Sequence, residues 1–342
     1  MLRRIYCAIA CIASLALLAR TAHAATDDYY EGKTIRIVVG FAAGGGFDTY
    51  SRVMARHMSK HIPGKPTIVV ENMTGAGSLI AANYVYKAAK PDGLTIGHFI
   101  GNLLMGQILG RTGIEFDARK FEYIGIPVKD KPVCALTKRS GIRSMEEWTA
   151  AKTPVKLGGT APGTTTDDIA KILKAALRLP IQLVAGYRGT ADIRLAADSG
   201  ELAGGCWGWD SIRATWRQAI ESGDAVVVLQ TVPKPSPDLP KVPLAISFAK
   251  TEEARQLIQA GIHDQSDITR PYVLGPGTPK ERVRTIRRAF AETINDPEFL
   301  AEAEKAKLDI EPMTGEELEK TVMGLFNLSP ALVAKLVDVI KN

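Results

Sequence analysis

The stretch RIVVGFAAGGGFDTYSR, Arg36 to Arg52, carries three local signals in a row. A β-branched run enters a glycine cluster, and an aspartate opens a segment with apolar residues at helical spacing. Strand, tight loop and helix N-terminus in that order bring unpaired backbone N–H groups and the positive end of a helix dipole to one point, an arrangement suited to an anion. Gly44, Gly45 and Gly46 remove side chains where a ligand must reach the backbone, and they permit positive φ. Asp48, an acid beside an anion site, is expected to cap the helix or order the loop by accepting its amide hydrogens. Phe41, beside Ala42, fits a pocket wall and a core position equally well.

The same alternation runs outward from this stretch. Strands are expected at 34–41, 66–72, 93–100 and 121–128, with helices at 48–61 and through LIAANYVYKAA. The middle repeats the scheme. PVCALTK is a strand, and VKLGGTAPGTTTDD is a second strand–glycine loop–helix unit. IQLVAGYRGTAD is a third, with a helix from about Ala191 to Ser199 closed by Gly200. PKPSPDLPKVP (233–243) is a proline-rich surface excursion. Thr278, Pro279 and Glu281 suit the N-cap, N1 and N3 positions of a late helix, and Thr314 with Glu317 has capping-box spacing. The fold class is α/β, doubly wound.

The first residues bound where the chain works. MLRR, an apolar run and AHA before Ala25 make a secretory signal peptide, residues 1–24, cut after Ala24. Its about 15 apolar residues fall short of the roughly 20 that a spanning helix needs. A lipoprotein reading through Cys11 lacks the leucine such a signal uses. Removing 24 residues from 342 leaves 318, and loss of Arg3, Arg4 and Arg20 lowers the formal charge from +6 to +3. That balance, without basic runs interleaved with aromatics, argues against nucleic acid. Cys7 and Cys11 leave with the leader. Cys134 and Cys206 remain, and either a disulfide or two buried thiols fits them.

Catalytic signatures fail by inspection. GFAAGGG followed by Glu71 imitates a dinucleotide site, but Thr49 stands where the third glycine belongs. No GKS or GKT follows the glycines, and G-x-S-x-G, H-E-x-x-H, C-x-x-C and calcium-loop spacings are absent. His57 and His61, four apart, lack an evident third ligand and read as solvated helix residues. No catalytic residue, metal or cofactor is expected.

Five segments carry a resemblance: VGFAAGGGFDTYSR, ENMTGAGSLIAANYVYKAAKPDGLTIG, KLGGTAPGTTTDDIAKIL, GYRGTADIRLAADSGELAGG and LGPGTPKERV. In sequence and order they resemble the Bug receptors, periplasmic substrate-binding proteins of tripartite tricarboxylate transporters, from about Lys33 to the C-terminal helices. The resemblance implies a two-domain Venus-flytrap fold of the second periplasmic-binding-protein type. It supports domains of 25–126 with 271–342, and 127–270. It also implies a non-catalytic periplasmic receptor, monomeric, that carries a small organic carboxylate to membrane permease subunits. A receptor signalling to a sensor kinase and an exported enzyme are the competing classes.

Two helix N-termini facing each other could hold such a carboxylate without a buried arginine, with ordered water completing the contacts. The second would bring Gly159 and the hydroxyls of Thr160, Thr164 and Thr165. Tyr187 is the better cleft candidate beside Arg188, which reads as a surface residue. The chain departs from the family pattern at Gly40 and Ala43, which replace prolines, and at Gly46 and Phe47, which replace a hydroxyl pair. Trp207, Trp209 and Asp210 stand where the family has an aromatic-poor turn. If Phe47 and the tryptophans line the cleft rather than the core, the ligand is bulkier or more apolar than citrate, an aryl or alkyl acid.

Overall fold

The computed structural model describes residues 29–341, so the leader and its cleavage site lie outside the described residues. The chain first builds β1 (Thr34–Val39), β2 (Thr67–Asn72), β3 (Thr95–His98) and β4 (Glu122–Ile126). It then crosses to β5 (Pro132–Thr137), β6 (Val155–Gly158), β7 (Ile181–Val184), β8 (Gly204–Gly208) and β9 (Ala225–Gln230), and returns for β10 (Tyr272–Leu274) and β11 (Met313–Thr314). Two sheets result among the described residues. One has six strands, ordered β11-β4-β10-β3-β1-β2; the other has five, ordered β7-β6-β8-β5-β9.

Each sheet is buried on both faces by alternation along its strands. Ile35, Ile37 and Val39 of β1 join one core cluster and Val38 joins the other. In β5, Cys134 and Leu136 face one cluster while Val133 and Ala135 face the other. The continuous apolar run in β1 therefore has the cause expected of it: parallel neighbours β2 and β3, with helices above and below. The sheets are nonetheless mixed, because β10 and β11 return antiparallel to β3 and β4, and β5 runs antiparallel to β8 and β9.

Several local readings meet tertiary partners. Glu71, the imitation ribose-binding acid, accepts from Arg36 Nε at 2.7 Å on the neighbouring strand. His57 and His61 are not merely solvated: their Nε2 atoms meet Glu302 at 2.6 Å and Asp296 at 2.9 Å. His57, Asp296 and Glu298 cluster, but Lys60 Nζ lies 2.8 Å from Asp296 and 2.6 Å from Glu298, which meets the acidic charge with an ammonium. The capping box of Thr314 and Glu317 forms in both directions. Thr278 does not cap its helix. Its hydroxyl donates back to the Gly275 carbonyl, and the helix begins at Lys280.

Cys134 and Cys206 stand directly opposite on β5 and β8 and are joined by a disulfide that closes a 72-residue separation. A loop of that size contributes by restricting the unfolded chain, so reduction should cost about 2–4 kcal/mol. Melting the mature protein with and without reductant checks this; coincident curves would contradict it.

Candidate functional site

The loop after β1 turns at Gly44, with φ of +77°, and the helix Gly46–Met58 begins behind the N-cap Gly45. The Asp48 carboxylate holds this loop together. It accepts from the Gly44 amide at 2.8 Å, Arg52 Nε at 2.9 Å and Asn72 Nδ2 at 3.0 Å. Burial alone would raise its pKa, but the bonds from Arg52, Gly44 and Asn72 outweigh that and hold it below the usual range. Gly44 and Ala42 are loop framework, and the Ala42 amide donates to the Arg188 carbonyl across the cleft at 3.3 Å. The arginine's side chain points to solvent and pairs with Asp192.

Facing it, Thr164 is the N-cap of the helix Thr165–Leu177. The threonine hydroxyls here bond largely to one another. Thr160 Oγ1 donates to Thr164 Oγ1 at 2.8 Å, and the Thr160 amide donates to Thr166 Oγ1 at 3.1 Å. Thr165 Oγ1 reaches across to Asn102 Oδ1 at 3.3 Å.

Between the two loops lies a cavity of about 40 Å³. Of the residues singled out from the sequence, Phe41, Gly45, Gly46, Phe47, Thr160, Thr164, Thr165 and Trp207 line it. The Phe41 and Phe47 rings meet at 4.7 Å, and Trp207 stacks at 5.7 Å on Trp216. Trp209 lies elsewhere: it borders a separate groove and donates Nε1 to Asp238 at 3.1 Å. Tyr187 donates its hydroxyl to Glu201 at 2.5 Å, and Gly159 is held in backbone bonds to Val184 and Tyr187; neither lines the cavity.

The residue that sequence reasoning missed is Arg270. It sits on the return crossover between the sheets, is 2% exposed, and lines the cavity. Nη2 meets Asp130 at 3.2 Å and Asp210 at 3.7 Å. Nε and Nη1 have no hydrogen-bond partner among the described residues. A Cβ built on Gly46 would fall 3.2 Å from Nη1, so the guanidinium lies against the start of the first helix. Its plane also approaches the rings of Phe47 at 4.9 Å and Tyr50 at 5.1 Å. Burial works against the Arg270 charge, but attraction from Asp130 and Asp210 outweighs it and raises the pKa.

Asp210, singled out from the sequence, stands behind the guanidinium rather than in the cavity wall. It is fully buried and accepts from the Tyr50 hydroxyl at 3.3 Å. Burial pushes its carboxyl up to about 6, against the pull of Arg270. Beneath Phe47, His98 is buried and kept neutral, its pKa driven well down by burial and then by Arg270. Its Nδ1 bonds Ser51 Oγ at 2.7 Å. The standing positive charge in the cavity wall is therefore Arg270, among the described residues.

Two mixed α/β lobes closing on a cleft fed by two helix N-termini and a buried arginine define a solute-binding protein of the periplasmic kind. The chain belongs to the tripartite tricarboxylate transporter receptor family, whose model matches residues 50–336. Members are periplasmic solute-binding receptors rather than enzymes. The UPF0065 protein in the gbd 5′ region of Cupriavidus necator is 28% identical over 335 residues, covering 96% of this chain and 94% of that one. The periplasmic binding protein BugD shares the fold with a TM-score of 0.70 at 21% identity, over 91% of this chain and 98% of that one. Rpa4515 of R. palustris, solved with adipate, has a TM-score of 0.69 at 18% identity, over 90% and 97%. Among the described residues no helix is long and apolar enough to cross a membrane.

Proposed function

We propose that this chain is exported, is cut after Ala24, and captures an organic carboxylate between its lobes for delivery to the permease subunits of a tripartite tricarboxylate transporter. The observation that carries the reading is Arg270: a buried guanidinium with unpartnered Nε and Nη1, lying against a helix N-terminus. Buried donors without acceptors cost free energy, and a ligand carboxylate placed there would relieve that cost. The backbone of Gly46 and Phe47 would supply further N–H groups, with Asp48 as loop framework. The adipate bound by the R. palustris relative is in keeping with this ligand class.

We divide the domains by sheet, 25–126 with 271–342 against 127–270. The helix Pro330–Lys341 then reaches back across, where Lys171 Nζ donates to the Ile340 carbonyl at 2.7 Å. A cavity of about 40 Å³ is far below the roughly 300 Å³ of a small-ligand site, so capture requires the lobes to part and close again.

Phe41, Phe47, Ile100 and Trp207 put apolar surface into a wall that also carries threonine and serine hydroxyls, and that surface suits a ligand with an alkyl or aryl body. Burying such a body contributes about 25 cal/mol per Å² of apolar area. Calorimetry with phenylacetate, hexanoate and their amides tests both halves of the claim: the acids should bind and the amides should not. Trp207→Ala should weaken phenylacetate at least tenfold, while Trp209→Phe leaves it within about twofold. Equal binding of acid and amide would refute the carboxylate reading. Loss of binding on Trp209→Phe with none on Trp207→Ala would reverse the assignment of the cleft wall.

A further inference from the structure

Resting on the carboxylate reading above, we infer that the cleft takes a monoanionic carboxylate together with one proton, which Asp210 accepts. The observation is a mismatch of charge. The cavity wall has one arginine among its described residues, and two aspartates already share it, at 3.2 and 3.7 Å. A ligand carboxylate on Nη1 would be a third anion around one cation in a buried site. A dicarboxylate or tricarboxylate would add further charges with no basic partner in the wall, and desolvating them unpaired is costly. The ligand class is thereby narrowed to acids with one carboxylate.

Asp210 is the aspartate placed to give way. Its Oδ1 is buried and has no hydrogen-bond donor among the described residues, so that atom has room for a proton taken from solvent. Five groups act on it from the surrounding elements. They are Arg270 on the return crossover, Tyr50 on the first helix, Asp130 and Lys131 on the outward crossover, and Asp309 ahead of β11. Asp130 keeps the hydrogen bond to Nη2. Burial already lifts the Asp210 carboxyl to about 6 before any ligand arrives. An anion beside Arg270 would lift it further.

The sign of the pH effect follows. Because binding raises this pKa, affinity is greatest below the unliganded value and falls above it. The Kd of a monocarboxylate should weaken by up to about tenfold per pH unit above about pH 6, until the pKa of the complex is passed.

The experiment uses the mature protein with its disulfide intact and four probes: phenylacetate, hexanoate, malate and adipate. Calorimetry near pH 7 in two buffers of different ionisation enthalpy counts the protons, and Kd is followed from about pH 5.5 to about pH 8. The expected result is tightest binding by a monocarboxylate, with close to one proton taken up per ligand. Asp210→Asn should bind that acid with its pH slope lost. Tightest binding by malate or adipate, or a monocarboxylate bound without proton uptake, would overturn the inference and leave the carboxylate reading standing. No binding of any of the four at any pH would overturn that reading as well. The proton count on the unmutated protein decides the matter even if Asp210→Asn folds poorly.

Discussion

Arg270→Gln is expected to weaken carboxylate binding by at least a hundredfold while the protein stays folded. The substitution removes the positive charge that faces the loop and leaves Asp130 and Asp210 beside the ligand. Hydrogen bonds to charged groups are worth about 1.5–3 kcal/mol each, and about 2.7 kcal/mol corresponds to a hundredfold change in Kd. Repulsion from these buried, uncompensated carboxylates adds to that loss. Glutamine also strips a buried ion cluster of its cation, which can destabilise the fold by itself. Arg270→Lys controls for this: it keeps the charge but not the planar fork, and should lie between wild type and glutamine. Calorimetry together with thermal melting separates affinity from stability. Binding within tenfold of wild type by a folded Arg270→Gln protein would remove this arginine from the site.

Gly46→Ala should cost at least tenfold in affinity by obstructing closure rather than by removing a contact. A Cβ at this position would lie 2.1 Å from Ser211 Oγ and 2.6 Å from Ser211 Cβ, which belong to the opposite lobe. Holding the lobes apart relieves that overlap, so the melting midpoint without ligand should change little. Adding Ser211→Gly should restore most of the affinity, and failure of that rescue would place the defect inside the loop. Gly45 is the milder position, since its nearest opposing atom would be Thr190 Oγ1 at 3.1 Å.

Much of this architecture follows from local pattern. Ile35, Ile37, Val38 and Val39 are β-branched and apolar because helices cover both faces of their strand, and that burial leaves a mark in the sequence. The glycines and Asp48 mark the loop at the first helix start, because such a start needs small residues and an amide acceptor whatever lies beyond it. The absence of catalytic spacings and the family pattern are one-dimensional features, legible without coordinates.

The site's charge is a different matter. Arg270 lies between a crossover and a strand, in a stretch whose local signals concern only the strand and helix that follow. Chain topology brings it beside Gly46, more than two hundred residues earlier, and periodicity carries no trace of that approach. Trp207 and Trp209 are two residues apart, but the chain leaves β8 at Gly208 and enters a helix at Trp209. One indole therefore turns to the cleft and the other to Asp238. The disulfide likewise depended on strand register, which sets Cys134 opposite Cys206. Sequence determined which elements form and that a glycine loop opens the first helix. Only the tertiary structure decided which charges face that loop, because a contact between lobes depends on how two separately folded sheets meet.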